Sequence, residues 1–252
     1  MLDPYADIHI HALCGVDDGA VDEETMRRMI DASYADGTRL ICFTPHWHPA
    51  LFSDNRERVD AAYRLAQAYV AEKQYDLRMM LGNELYYADN CVEWLRAGSC
   101  RTLNGTRYVL VDFSEDEQLR SIIKGLNRLL SAGYKPILAH AERYTAMQDE
   151  ELRHLRADGV RVQLDAASVT GGFGLSCKRR ARRFLSEGLV DLISSDAHDT
   201  HRRTPILSEA REWTRRKISE SYAEALFYRN AFHIVGLSEP DQVTSASVAG
   251  QR

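Results

Sequence analysis

Short apolar runs alternate with longer amphipathic stretches along most of the chain. The short runs at residues 40–44, 77–81, 108–111, 136–139, 160–164 and 190–194 are rich in Val, Ile and Leu and too brief for independent helices, so they read as strands. The stretches between them carry helical spacing. Met26, Met29 and Ile30 follow Asp22, a residue suited to capping a helix, and Gly37 closes that segment. Val59, Ala62, Tyr63, Ala66 and Val70 form a second stripe, and a short helix is predicted around residues 92–95. Leu119, Ile122, Ile123, Leu126, Leu129 and Leu130 form the strongest stripe, ending near Gly133. Further helices are predicted over 175–187, 206–216 and 219–232, whereas 239–252 reads as a polar, loosely ordered tail. Near the N-terminus, Asp7-Ile8-His9-Ile10-His11 alternates strictly, which predicts a strand with His9 and His11 on one side and Ile8 and Ile10 on the other.

Strands alternating with helices imply a parallel sheet joined by right-handed crossovers. About seven such units in one domain, residues 1–252, favour a barrel over an open doubly wound sheet. No dinucleotide-type Gly-x-Gly-x-x-Gly follows a strand. A net charge of −5 argues against a general nucleic-acid or membrane-surface binder. No apolar run is long enough to cross a bilayer and the N-terminus lacks the features of a signal peptide, so a cytoplasmic protein without membrane insertion is expected. The cysteines, Cys14, Cys42, Cys91, Cys100 and Cys177, are odd in number and lack Cys-x-x-Cys spacing, which points to free thiols.

Candidate chemistry gathers at the C-terminal exits of the predicted strands. His9 and His11, His46, Glu84, Asp112, His140, and Asp196 with His198 all stand there, and in a parallel barrel those exits share one face. Imidazoles mixed with carboxylates suit manganese, iron or zinc, and a carboxylate such as Glu84 or Asp196 can bridge two ions. A bi- or trinuclear centre for hydrolysis of a phosphate or carbonyl substrate is expected. Arg143 and Arg203 follow His140 and His198 in the exit loops, placed to clamp phosphoryl oxygens unless they pair with Glu142 or Asp199. His48 and His201 are rim candidates, while His154 and His233 read as surface or packing residues. Lys178, Arg179, Arg180, Arg182 and Arg183 read as a solvated basic helix face. Cys177 and Arg183 match the Cys-x5-Arg spacing of thiol-dependent tyrosine phosphatases, but the residues between them lack glycine and read as helix.

These residues resemble a known family. Asp7-x-His9-x-His11, Gly15-Val16-Asp17-Asp18-Gly19-Ala20, Thr44-Pro45-His46, Gly82-Asn83-Glu84, His140-Ala141-Glu142-Arg143-Tyr144 and Ser195-Asp196-Ala197-His198 resemble, in order, the polymerase and histidinol phosphatase (PHP) superfamily. Within it the chain is most similar to bacterial capsular-polysaccharide tyrosine phosphatases. The resemblance implies a distorted (β/α)7 TIM-like barrel and the ligands His9, His11, Asp18, His46, Glu84, Asp112, His140, Asp196 and His198. It implies two or three divalent ions, manganese first and iron or zinc as alternatives. It also implies a phosphate-binding role for Arg143 and Arg203, and as substrate the phosphotyrosine tail of a membrane-associated bacterial tyrosine kinase that controls capsular or exopolysaccharide synthesis. Oligomeric assembly stays open. Asp112 stands where the family usually has Glu, Trp47 stands where His is frequent, Ala12-Leu13-Cys14 departs before Gly15, and the choice between Asp17 and Asp18 as ligand is open. Trp47, Tyr86, Tyr87, Tyr144 and Phe173 are candidates for an apolar rim around a phenol ring. The alternatives are a superfamily phosphoesterase acting on a small molecule such as histidinol phosphate, and a weakly catalytic kinase-docking module.

Overall fold

The amphipathic stretches form helices and the short apolar runs form strands in the structure, a computed structural model that describes residues 4–52 and 55–238. The tail expected over 239–252 lies outside the described residues. In chain order the elements are β1 (Tyr5–Asp7), α1 (Glu23–Asp36), β2 (Thr38–Phe43), β3 (His46–Trp47), α2 (Arg56–Glu72), β4 (Arg78–Leu81), β5 (Glu84–Tyr86) and α3 (Cys91–Ala97). They continue with β6 (Tyr108–Asp112), α4 (Leu119–Ser131), β7 (Lys135–Leu138), α5 (Asp149–Ala157), β8 (Arg161–Asp165), α6 (Ala166–Thr170), α7 (Gly174–Ser186), β9 (Leu192–Ser194) and α8 (Ser208–Lys217). The last helical run comprises α9 (Glu220–Glu224), a π-helical turn (Ala225–Arg229) and α10 (Asn230–Ile234).

Local chemistry accounts for the boundaries of α1. The Asp22 carboxylate accepts from Thr25 N at 2.7 Å, and Gly37 takes the left-handed conformation that ends the helix. All strand pairs are parallel, in a three-stranded sheet ordered β1-β2-β4 and a curled six-stranded sheet ordered β3-β5-β6-β7-β8-β9. Residues from both sheets meet in one cluster: Ala6 and Ile8, Leu40 and Cys42, Leu110, Ile137 and Leu192. Phe232 and Ile234 of α10 join that cluster. A second core packs α1 and α2 on β2, and a third backs the six-stranded sheet.

The structure departs from the sequence reading where strands are interrupted. His46 and Trp47 lie beyond the strand predicted over 40–44 and form β3, paired with β5 in the register His46↔Glu84. Pro45 lacks an N–H and breaks the ladder after β2, while its carbonyl accepts from Glu84 N (3.2 Å) and Asn83 Nδ2 (2.8 Å), so pairing resumes beyond it. The first strand is also shorter than expected. Its ladder covers Tyr5–Asp7, and the two histidines follow in a segment tied to the exit of β9, with Asp196 N donating to His9 O (2.8 Å) and His11 N to Ala197 O (2.9 Å). The short helix α6 follows β8 directly and ends at Gly171, which takes the left-handed conformation.

Candidate metal centre and its arginine rim

Every histidine and carboxylate expected as a ligand is brought to one end of the sheet. Three overlapping groups have donor atoms within 4.8 Å of one another: His11, Asp18, His46 and His198; His9, His11, Glu84 and Asp196; and Glu84, Asp112 and His140. Glu84 and His11 each belong to two groups. Around buried Glu84, His140 Nε2 lies at 3.0 Å and His9 Nε2 at 3.2 Å from Oε1, while His46 Nδ1 lies at 2.8 Å and His11 Nε2 at 3.3 Å from Oε2. Asp196 Oδ1 stands 3.2 Å from His9 Nε2 and 3.4 Å from His11 Nε2.

The fit of these donors to metal ions rests on their unmet polarity. His9 Nε2, His11 Nε2, Glu84 Oε2, Asp196 Oδ1 and His198 Nε2 are buried without a hydrogen bond, although several lie within ion-pair distance of each other. Leaving such atoms unpaired costs roughly 1–3 kcal/mol apiece, and divalent cations seated among them would satisfy several at once. Backbone strain accompanies the arrangement: His140 (φ 33°) and Asp196 (φ 50°) both adopt the left-handed region where β7 and β9 end. Such conformations cost on the order of 1–3 kcal/mol each and cluster at functional sites.

The Nδ1 atoms of His9 and His11 are held by neighbours, which fixes the orientation of those donors. His9 Nδ1 meets Gln163 Oε1 at 3.1 Å, and His11 Nδ1 meets Asp17 Oδ2 at 2.9 Å. The two neighbouring carboxylates, Asp17 and Asp18, have different surroundings. Asp17 is buried, orients His11 and accepts from His46 N and Gly19 N, whereas Asp18 is 61% exposed and faces His46 and His198. Tyr144 was a rim candidate, but its ring is fully buried and its hydroxyl donates to Asp112 Oδ1 at 2.9 Å. Trp47 is likewise buried, packed on Trp94, so neither forms a rim. Tyr86, Tyr87 and Phe113 line an adjacent cleft of about 270 Å³.

Arg143 and Arg203 converge on the centre from their loops. Both reach Asp196 Oδ2, Arg143 through Nη2 at 2.6 Å, and both keep a buried Nε–H without an acceptor. The ring of Phe173 lies 4.0 Å from the Arg143 guanidinium carbon and 5.9 Å from that of Arg203.

A profile described as capsular polysaccharide synthesis, CpsB/CapC, matches residues 5–236. The chain belongs to the CpsB/CapC family. It is 32% identical over 236 residues to the tyrosine-protein phosphatase CpsB of Streptococcus pneumoniae, covering 91% of this chain and 97% of that one. It is 29% identical over 206 residues to the tyrosine-protein phosphatase YwqE of Bacillus subtilis, covering 81% of each. Among solved structures it superposes with a TM-score of 0.85 and 26% identity, over 92% of this chain and 95% of the other, on one from a study of YwqE and CpsB described as unique metal-dependent tyrosine phosphatases. A phosphotriesterase from Mycobacterium tuberculosis, 12% identical with a TM-score of 0.58 over 92% of this chain and 93% of the other, shares the fold.

Within this CpsB/CapC chain the electrostatics follow from burial and crowding. Burial works to raise Glu84, yet the charges of His9 and His46 with hydrogen bonds from His11 and His140 hold it well below the usual carboxylate range. Asp112 is pushed up to about 7, first by burial and then by the charge of Glu84. Burial and the Arg143 cation press His140 down to about 4, the neutral form a ligand requires. Burial opposes protonation of His46, but Glu84 and Asp18 raise it to about 9.

The remaining candidates lie apart from the centre. His48 packs on Tyr86 with tilted rings whose centroids are 4.6 Å apart, and His201 is exposed; neither belongs to a donor group. Cys177 and Arg183 both lie within α7; burial raises the thiol, and Arg183 pairs with Asp149 at 2.9 Å, so the Cys-x5-Arg spacing forms no phosphate loop. Sequence reasoning missed Gln163, and missed Asp17 and Tyr144 as residues that orient the donors.

Proposed function

We propose that this protein is a metal-dependent protein-tyrosine phosphatase that removes phosphate from the tail of a membrane-associated bacterial tyrosine kinase and so regulates capsular or exopolysaccharide synthesis in the cytoplasm. The observation that carries this reading is the meeting of three donor groups around Glu84 and Asp196 with two arginines on the outer oxygen of Asp196. A cation-binding cluster thereby adjoins an anion clamp, the arrangement a phosphate monoester needs. Membership in the CpsB/CapC family and the names of its relatives support the same reading.

In this proposal His9, His11, Asp18, His46, Glu84, Asp112, His140, Asp196 and His198 hold two or three divalent ions, manganese in preference to iron or zinc. When bound, such ions supply Lewis acidity and an activated water. Arg143 and Arg203 take the non-bridging phosphoryl oxygens and offset their charge as water displaces the tyrosyl oxygen from phosphorus. Tyrosine is a leaving group of pKa about 10, so the chain needs less proton donation than for an alkyl ester. Tyr86, Tyr87 and Phe173 offer apolar faces near the mouth for the phenol ring. The fold in this reading is a distorted (β/α)7 barrel. In it β2 with β3 and β4 with β5 each form one interrupted stave, and the Ile10↔Ala197 bridge closes the ring between β1 and β9.

Turnover of a phosphotyrosyl peptide and of histidinol phosphate by the manganese-supplied protein tests the assignment. The expected result is a kcat/KM at least about tenfold higher for the phosphotyrosyl peptide, about 1.4 kcal/mol of discrimination. A preference for histidinol phosphate would replace it with a small-molecule phosphoesterase.

A further inference from the structure

β8 supplies no residue to the three donor groups, although it lies between β7 and β9, whose exits both do. Its inner end is nonetheless polar: Gln163 and Asp165 are both fully buried, with Leu164 between them. Being two residues apart on a strand, they fall on one face. Gln163 Nε2 donates to Asp165 Oδ1 at 3.1 Å, and Asp165 Oδ2 forms an ion pair with Arg143 Nη2 at 2.5 Å. The same Nη2 reaches Asp196 Oδ2. A closed circuit therefore runs from His9 through Gln163, Asp165 and Arg143 to Asp196 and back to His9.

We propose that Asp165 is the positioning residue for Arg143, holding its guanidinium at the phosphate-binding edge of the metal centre; this rests on the phosphatase reading above. A carboxylate wholly removed from water costs several kcal/mol unless a cation meets it. Arg143 is the cation at ion-pair distance from Asp165 among the described residues. Asp196 is an unsuitable permanent anchor because its Oδ1 belongs to a donor group and its charge is shared with any cation bound there. Asp165 lies outside those groups, so its hold on Arg143 persists whether or not the centre is loaded. The Phe173 ring covers another side of the guanidinium. An arginine confined in this way loses little freedom on meeting a phosphate, which strengthens binding without a new contact.

The test is a double-mutant cycle in the full chain supplied with manganese: Asp165→Asn and Arg143→Ala, alone and together. The readouts are phosphotyrosyl-peptide kinetics, competitive inhibition by inorganic phosphate, and bound metal per chain. Asp165→Asn is expected to raise KM and the phosphate inhibition constant about tenfold, with kcat within about threefold and metal content unchanged. In the Arg143→Ala background it should change either constant by less than about twofold, because its route of action is gone. A wild-type inhibition constant in Asp165→Asn, or an equal loss with and without Arg143, would overturn the proposal. If Asp165→Asn does not fold, Asp165→Glu keeps the charge but displaces the arginine. Weakened phosphate binding there supports the proposal and unchanged binding refutes it. Calorimetric titration with inorganic phosphate reads the same effect without turnover, so a wild-type chain that binds phosphate but hydrolyses no phosphotyrosine would sink the phosphatase reading and leave this inference standing.

Discussion

Gln163 shows most directly how single residues build the site. Its Oε1 accepts from both His9 Nδ1 and His140 N, so one amide oxygen orients a donor in the middle group and the left-handed residue at the exit of β7. Replacement by Leu keeps much of the volume and removes the acceptor. His9 then loses the contact that fixes its tautomer, and affinity for manganese is expected to fall by roughly 10–100-fold. Competition against a fluorescent chelator measures this, and unchanged affinity would show that His9 is held by packing alone. His9, His11, His46, Glu84, His140, Asp196 and His198 were legible in the sequence because each is a metal-competent type at a strand exit. Gln163 was not, since a neutral amide inside an apolar strand carries no ligand signature. Its signal was the alternation of polar with apolar residues in Val162-Gln163-Leu164-Asp165, which in a fully buried strand requires polar partners.

At the scale of elements, the loop after β1 is shaped by close approach. Ala20 N donates to His11 O at 3.0 Å, and a Cβ on Gly19 would overlap the His11 carbonyl. Gly19→Ala should therefore push the Asp17-Asp18 loop away from His11. The expected cost is on the order of 1–3 kcal/mol of stability, and the stabilisation that manganese gives the wild type should shrink. Denaturant melts with and without the metal measure both, and a wild-type midpoint in both conditions would contradict the close packing. The helices were read well because their stripes and caps are local, as Asp22 and Gly37 show for α1. β3 and β5 escaped because two-residue and three-residue strands have no pattern of their own; they exist through pairing with each other and with β6.

For the whole molecule, the order of parallel strands turns dispersed sequence positions into one cluster, with His9 and Asp196 separated by most of the chain yet 3.2 Å apart. The fold class followed from the alternation of strand and helix, whereas the curl of the sheet and the tie between the first and last strand exits are tertiary and left no local trace. No helix of the described residues is long and apolar enough to cross a membrane. In the proposed function, phosphotyrosine hydrolysis depends on metal ions held by the three donor groups. The direct measurement strips the protein with chelator, confirms the loss by elemental analysis, and follows phosphotyrosyl-peptide turnover as manganese is returned. Turnover near background is expected in the stripped protein, with recovery as about two or three ions bind per chain. Undiminished turnover in the metal-free protein, or turnover abolished by Cys177→Ser, would contradict it.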